Sequence, residues 1–242
     1  MLGIKGTEII KEFGKELTFE CVILDLGCGS GETVAKCRED GYQVFGCDFD
    51  FTGGPQFNDL QNDGILRLIE KSPYRLPFDD NTFDFVFSEQ VFEHVRDYPA
   101  TLSEIKRVLK PDGCNLHEFP SRYMFIERHT FVPFASIIQR RWWLFVWASL
   151  GVRNQFQKGC SIMETVNHNY NYLRKNTNYP KRSELKKYIK KYFNNVVFCE
   201  KIFLKHSRKR RIRFLYHASR ILPFIPWLIS TFVIRVVFFN NE

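Results

Sequence analysis

The stretch Val22-Ile23-Leu24-Asp25-Leu26-Gly27-Cys28-Gly29-Ser30-Gly31 constrains the fold more than any other part of this 242-residue chain. An apolar, β-preferring run ends at an acidic residue and opens into three glycines at alternate positions, and a helix-forming segment starts at Glu32. That order describes a buried strand, a tight turn and a helix beginning under the turn. Glycines at such a turn adopt φ > 0 and let backbone approach a ligand closely. The cradle sits at the carboxyl end of the first strand of an open α/β sheet. Its G-x-G-x-G spacing differs from the G-x-G-x-x-G of dinucleotide sites. Asp25 and Glu32 beside the turn repel a pyrophosphate and suit a cationic or polyhydroxylated ligand.

The pattern downstream repeats strand and helix. Residues 5–17 read as a helix, Glu32–Asp40 as a helix closed by Gly41, Tyr42–Cys47 as a strand running into Asp48, and Leu60–Glu70 as a helix. Pro73–Phe78 is irregular or a short strand, and Phe83–Phe87 a strand. Tyr98–Leu109 is a helix, Lys110-Pro111-Asp112-Gly113 a turn, and Cys114–Phe119 a strand. Such alternation predicts right-handed βαβ units and an α/β fold with a mostly parallel sheet and helices on both faces. After Pro120 the pattern changes. Phe131–Leu150 is apolar and aromatic, Ser183–Phe193 is a basic helix, and Val196–Phe198 with Lys201–Leu204 suggest an antiparallel pair closing the sheet. Asp48, at the end of the second strand, is placed to accept hydrogen bonds from both hydroxyls of a ribose, with Asp50 as the alternative.

Charge divides the chain. Residues 1–120 hold 12 Lys+Arg against 22 Asp+Glu (−10), and residues 121–242 hold 23 against 5 (+18), which together make the net +8. A basic, aromatic-rich half points to an anionic surface as partner. The seven cysteines show no C-x-x-C or other zinc spacing and read as reduced cysteines of a cytoplasmic protein. No His/Asp cluster with ligand spacing suggests a metal. Met1–Glu20 is polar and mixed in charge, unlike a signal peptide.

Asp25-Leu26-Gly27-Cys28-Gly29-Ser30-Gly31 resembles the first motif of class I S-adenosylmethionine-dependent methyltransferases of the type 11-like group. Leu76-Pro77-Phe78 through Asp84-Phe85-Val86 is similar to the fourth-strand region of the methyltransferases that include ubiquinone-biosynthesis enzymes, and Arg107-Val108-Leu109-Lys110-Pro111-Asp112-Gly113 to the turn before their fifth strand. The resemblance implies a Rossmann-like seven-stranded sheet. It also implies S-adenosyl-L-methionine as cofactor, S-adenosyl-L-homocysteine as product, and a cofactor site at Asp25, Gly27, Cys28, Gly29, Gly31, Asp48, Phe49, Ser88 and Glu89. Ser72 stands where the family often has an acid facing adenine; backbone near Tyr74 is the substitute. Glu93-His94-Val95 also resembles this family, with His94 as a base or Glu93 as a polar anchor, or with the motif only packing and capping a helix.

Phe119-Pro120-Ser121-Arg122-Tyr123, Glu127-Arg128-His129 and Pro133 resemble bacterial methyltransferases associated with cell-envelope glycans. A sugar hydroxyl has a pKa far above 7, so its methylation calls for a base within hydrogen-bond reach. His129 oriented by Glu127 fits that role, with His94 as the alternative, and Arg122 and Tyr123 fall on the substrate side. The expected acceptor is a sugar hydroxyl of a cell-surface glycan or its lipid-linked precursor; a lipid or quinone-type molecule is the main alternative. A nucleic acid fits less well, because Ser88-Glu89-Gln90 replaces the Asn/Asp-Pro-Pro-aromatic motif of base-amine methylation. A non-catalytic binding module is the remaining alternative.

The chain is expected to divide into a methyltransferase domain, 1–204, with an aromatic helical insertion at about 131–176, and a C-terminal appendage, 205–242. In the appendage seven Lys/Arg within 205–220 precede the apolar run Ile221–Phe239. Pro223, Pro226 and Arg235 disfavour a simple spanning helix, so the run reads as attached to the membrane interface at the cytoplasmic face, with Trp142, Trp143 and Trp147 marking a second interfacial helix.

Overall fold

The computed structural model describes residues 2–207 and 209–241; Arg208, one of the basic residues of the tail, lies outside the described residues. A seven-stranded sheet forms the centre. Its strands are β1 (Val22–Leu26), β2 (Gln43–Asp48), β3 (Leu66–Leu68), β4 (Phe83–Glu89), β5 (Leu109–Pro120), β6 (Asn195–Phe198) and β7 (Ile234–Asn240), in the spatial order β3-β2-β1-β4-β5-β7-β6. The first five run parallel, and β7 is antiparallel to β5 and β6. This is the mostly parallel sheet expected from the alternation of strands and helices, with the Rossmann-like, seven-stranded form that the resemblance implies.

Side chains alternate across the pleat. Ile23, Phe85, Phe87, Leu116, Val236 and Phe238 face helices α1 (Leu2–Lys11), α2 (Glu32–Glu39), α7 (Glu200–Lys205) and α9 (Ile225–Phe232). Leu24, Leu26, Val86, Val237 and Phe239 face α3 (Tyr98–Val108) and α6 (Arg182–Ile189). Two covered faces explain why these strands are apolar at nearly every position. The aromatic insertion forms a small core of its own, in which α4 (Arg141–Ser149) packs on α5 (Ile162–Asn176) through Leu144, Ala148, Val166 and Leu173.

Four elements differ from expectation. The helix expected over Leu60–Glu70 ends early: a short helix covers Asn58–Asn62, Gly64 turns the chain at φ 68°, and Leu66–Leu68 pairs with β2. The expected turn Lys110–Gly113 is a bulge inside β5, where Phe83 and Phe85 of β4 pair with Leu109 and Cys114. Lys201–Leu204 is helical, because burying Glu200, Phe203 and Leu204 follows a helical spacing rather than an alternating one. The tail is a helical appendage only up to Val233. Arg210–Ala218 (α8) and α9 lie on the surface, but Ile234–Asn240 is fully buried between β5 and β6. Arg235 is buried within that strand, where burial lowers its pKa and the nearby carboxylate of buried Glu200 opposes the shift. Among the described residues no helix is long and apolar enough to cross a membrane.

Phe238 is fully buried and stacks on Phe13 with ring centroids 4.0 Å apart. Phe238→Ala is expected to cost about 3–5 kcal/mol in urea unfolding. A chain ending at Val233 is expected to lose cooperative unfolding altogether; a truncated chain that unfolds like the intact one would restore the tail to an appendage.

Candidate active site

The glycine turn after β1 is left-handed at Gly27 (φ 76°), Gly29 (φ 55°) and Gly31 (φ 81°). A Cβ on Gly27 would lie 2.3 Å from Val91 Cγ2, whereas one on Gly29 meets nothing closer than Thr52 Oγ1 at 3.8 Å. Gly27 thus admits the chain leaving β4, and Gly29 faces open space. The turn is tied to β2: Gly27 N and Cys28 N donate to Cys47 O (2.7 and 3.2 Å), and Gly29 N donates to Asp48 Oδ2 at 2.8 Å. Phe49 N donates to Asp48 Oδ1 at 2.7 Å. Each Asp48 oxygen therefore keeps acceptor capacity for a ligand.

Asp25 is 5% exposed, and its pKa is raised to about 8 by burial, then by the charges of Glu89 and Asp48. Acidic groups thus converge at the carboxyl ends of β1, β2 and β4. Phe49 is exposed, its ring centroid 6.0 Å from that of Tyr74 in an edge-to-face arrangement. The Cys28 thiol packs toward Gly46, and burial raises its pKa, so Cys28 contributes through its backbone. Ser88 corrects the expectation: it is fully buried and its hydroxyl is 2.8 Å from His117 Nδ1, so its side chain is turned into the fold and does not reach the cradle.

On the other side of the cradle, Gln90 takes φ 61° and turns the chain after β4 into the single helical turn Phe92–His94. The segment following β5 meets it there, with Arg128 Nη1 donating to Gln90 Oε1 at 2.9 Å. Glu127, fully buried, organises this segment. It accepts from His129 Nδ1 (2.7 Å), His129 N (3.0 Å), Thr130 N (2.7 Å), Thr130 Oγ1 (2.8 Å) and Tyr179 Oη (2.7 Å). Burial alone would raise its pKa, but the bonds from His129, Tyr179 and Thr130 hold it below the ordinary value. His129 lies on a groove lined also by Asn154, Phe156 and Tyr172.

His94 joins this group, its ring centroid 5.0 Å from that of His129 and its Nδ1 2.6 Å from Asn176 O. Burial lowers the His94 pKa. Glu93 is fully buried, and burial raises its pKa to about 7. The structure therefore gathers Glu93, His94 and His129 into a cluster with metal-ligand proximity, contrary to the expectation of none. Arg122 is held apart: Nη1 donates to Tyr179 O at 2.6 Å, and the side chain lines a neighbouring cleft with Arg96, Tyr98 and Glu184. Tyr123 is half-buried near Arg235. Tyr179, which touches both Arg122 and Glu127, carries no sequence signal of its role.

Residues 24–116 match the family model of a methyltransferase domain. Demethylmenaquinone methyltransferase of Staphylococcus saprophyticus is 36% identical over 97 residues, 37% of this chain and 40% of that protein. The chain thus spans about two fifths of the length of such curated relatives. Among solved structures, an S-adenosylmethionine-dependent methyltransferase from Mesorhizobium loti shares the fold over 98% of both chains, with a TM-score of 0.53 and 13% identity. Phosphoethanolamine N-methyltransferase 2 of Haemonchus contortus, solved with S-adenosylhomocysteine, gives a TM-score of 0.51 and 17% identity over 97% of this chain and 52% of its own.

The Asp25 carboxyl carries a pH signature. Its folded pKa exceeds the unfolded one, so the folded chain holds a proton that the unfolded chain has lost. Its contribution to stability is therefore complete below about pH 4 and is lost as pH rises to about 8. Urea midpoints at pH 5, 6.5 and 8 are expected to fall less with pH in Asp25→Asn than in the parent.

Proposed function

We propose that the chain is an S-adenosyl-L-methionine-dependent methyltransferase that methylates a hydroxyl group, a sugar hydroxyl on a lipid-linked or cell-surface glycan precursor. The match of residues 24–116 to a methyltransferase domain supports the cofactor half of this reading. Asp48 accepts the ribose hydroxyls through oxygens already oriented by Gly29 and Phe49 backbone. The exposed Phe49 ring borders the adenine, the open face of Gly29 lets the nucleoside approach, and the cationic amino-acid end relieves the repulsion among Asp25, Asp48 and Glu89 and so favours the ionised form of Asp25.

The His129–Glu127 pair carries the hydroxyl reading. An ionised carboxylate accepting from Nδ1 fixes the imidazole with its Nε2 lone pair free, and stabilises the imidazolium once Nε2 takes a proton. The acceptor hydroxyl gives its proton to Nε2. Its oxygen takes the methyl group in line as the carbon–sulfur bond breaks, and the neutral thioether leaves. Because the sulfonium is already a good leaving group, the chain's task is alignment and proton removal. His94 lacks a carboxylate at its Nδ1 and fits the base role less well.

The surface supports a lipid-borne acceptor. Phe214, Ile221, Leu222, Phe224 and Trp227 are exposed beside exposed Lys209, Arg210, Arg211, Arg213 and Arg220. Each basic residue contributes about 1 kcal/mol next to an anionic bilayer. A quinone-type acceptor is the second reading, favoured by the names of the relatives, but the family match ends at residue 116, before the whole His129 segment.

With labelled methyl donor and membrane extract, label is expected in a glycan-bearing lipid released by mild acid; label in a quinone fraction would select the second reading. His129→Ala and Glu127→Gln are expected to lower kcat by about 10²-fold or more while cofactor binding by calorimetry is unchanged. Unchanged turnover in His129→Ala would remove the base assignment. The protein is expected to sediment with vesicles containing anionic lipid and to be released by Arg210→Glu/Arg213→Glu.

A further inference from the structure

The reaction above uses neither Glu93 nor His94 of the acceptor-side cluster. Glu93 is fully buried, and neither carboxylate oxygen has a hydrogen-bond partner among the described residues. A carboxylate removed from water without a partner is costly. It faces two histidines whose Nδ1 atoms are both engaged. His94 Nδ1 donates to the carbonyl of Asn176 at 2.6 Å, and His129 Nδ1 donates to Glu127 Oε1 at 2.7 Å. A carbonyl and an ionised carboxylate only accept, so each ring carries its proton on Nδ1 and keeps a lone pair on Nε2. His94 Nε2 is 3.9 Å from Glu93 Oε1, and one ligand atom from each of Glu93, His94 and His129 lies within 4.8 Å of the other two.

Metal-ligating histidines are oriented in this way, the second nitrogen donating to a carboxylate or a backbone carbonyl. We propose that Glu93, His94 and His129 bind a divalent transition-metal ion of the zinc, cobalt or iron(II) kind. Two imidazoles and one carboxylate suit such ions, whereas calcium and magnesium prefer oxygen ligands alone. Ligand atoms around a metal at ~2.1 Å stand about 3.4 Å apart, so side-chain shifts of about 1 Å close the site. Three protein ligands leave coordination positions open, and His129 also lines the groove bordered by Asn154 and Tyr172.

The site rests on this geometry; its task rests on the methyl-transfer reading above. There the bound cation takes over from His129 the ionisation of the acceptor hydroxyl. A hydroxyl coordinated to a divalent cation loses its proton to solvent at lower pH. Its oxygen then takes the methyl group, and the thioether product leaves.

The test needs no methyl donor. The intact chain, stripped with chelator, is titrated with Co²⁺ followed by visible absorption, and then with competing Zn²⁺. One Co²⁺ per chain is expected, displaced by Zn²⁺. Glu93→Gln, which keeps the shape of the side chain, and His94→Ala are each expected to weaken binding at least about tenfold, and Glu127→Gln by about 10–100-fold through the His129 ring. His168→Ala, on the exposed rim of the same groove, is expected to leave binding unchanged. Absence of stoichiometric binding, binding indifferent to Glu93→Gln, or binding lost in His168→Ala overturns the site. Any of these leaves methyl transfer with His129 as unaided base intact, and a failure of methyl transfer leaves the metal titration standing.

Discussion

The acceptor side of this molecule hangs on the Glu127 carboxylate, which is shut off from water and saturated by donors from its own loop and from Tyr179. Hydrogen bonds to an ionised acceptor are about twice as strong as neutral ones. Here they fix a loop that has little regular structure of its own. Nearby, Phe131 and Phe134 hold φ of 58° and 52°, a conformation that costs non-glycine residues on the order of 1 kcal/mol or more. The bonds to Glu127 and the small core around Val132 and Ala135 offset that strain. The same carboxylate orients His129, so the loop's anchor and the site's chemistry are one group.

Two contacts join this loop to the cofactor cradle. Val91 occupies the space that a side chain at Gly27 would need, and Arg128 reaches Gln90 at the end of β4. A displacement of the acceptor loop is therefore felt at the glycine turn within one or two contacts. The electrostatics of the two sides differ. The cradle gathers Asp25, Asp48 and Glu89, suited to a cation, whereas the acceptor side sets imidazoles against buried carboxylates, suited to moving or replacing protons.

The cradle was legible in the sequence because its determinants are local. An apolar run, a glycine-rich turn and the acid ending the next strand lie within 27 residues, and each imposes its own backbone geometry. The acceptor cluster was legible only in parts. His129 with Glu127 could be paired by proximity along the chain, but Glu93 and His94 come from the helical turn after β4, Asn176 from the last position of α5 and Tyr179 from just beyond it, with nothing in the chain to announce that they meet. Arg122 pointed elsewhere for the same reason: its direction is set by the Tyr179 carbonyl. The last strand was misread because a strand buried on both faces and a membrane-seeking segment present the same continuous apolar run. Only its pairing with β5 and β6 separates the two.

That last strand sets a schedule for the molecule's birth. β5 and β6 are neighbours of β7, not of each other, so a nascent chain that has emerged through residue 200 carries two unmatched strand edges with no partner yet made. Exposed edges of this kind invite pairing with other chains. Synthesis proceeds at ~5–20 residues per second, so the gap between completion of β6 and arrival of β7 lasts a few seconds, and it ends only after residue 240 clears the ribosome. The basic and aromatic residues of α8 and α9 emerge within that window, ahead of the strand that completes the sheet. During those seconds this stretch is exposed while the sheet behind it is still open.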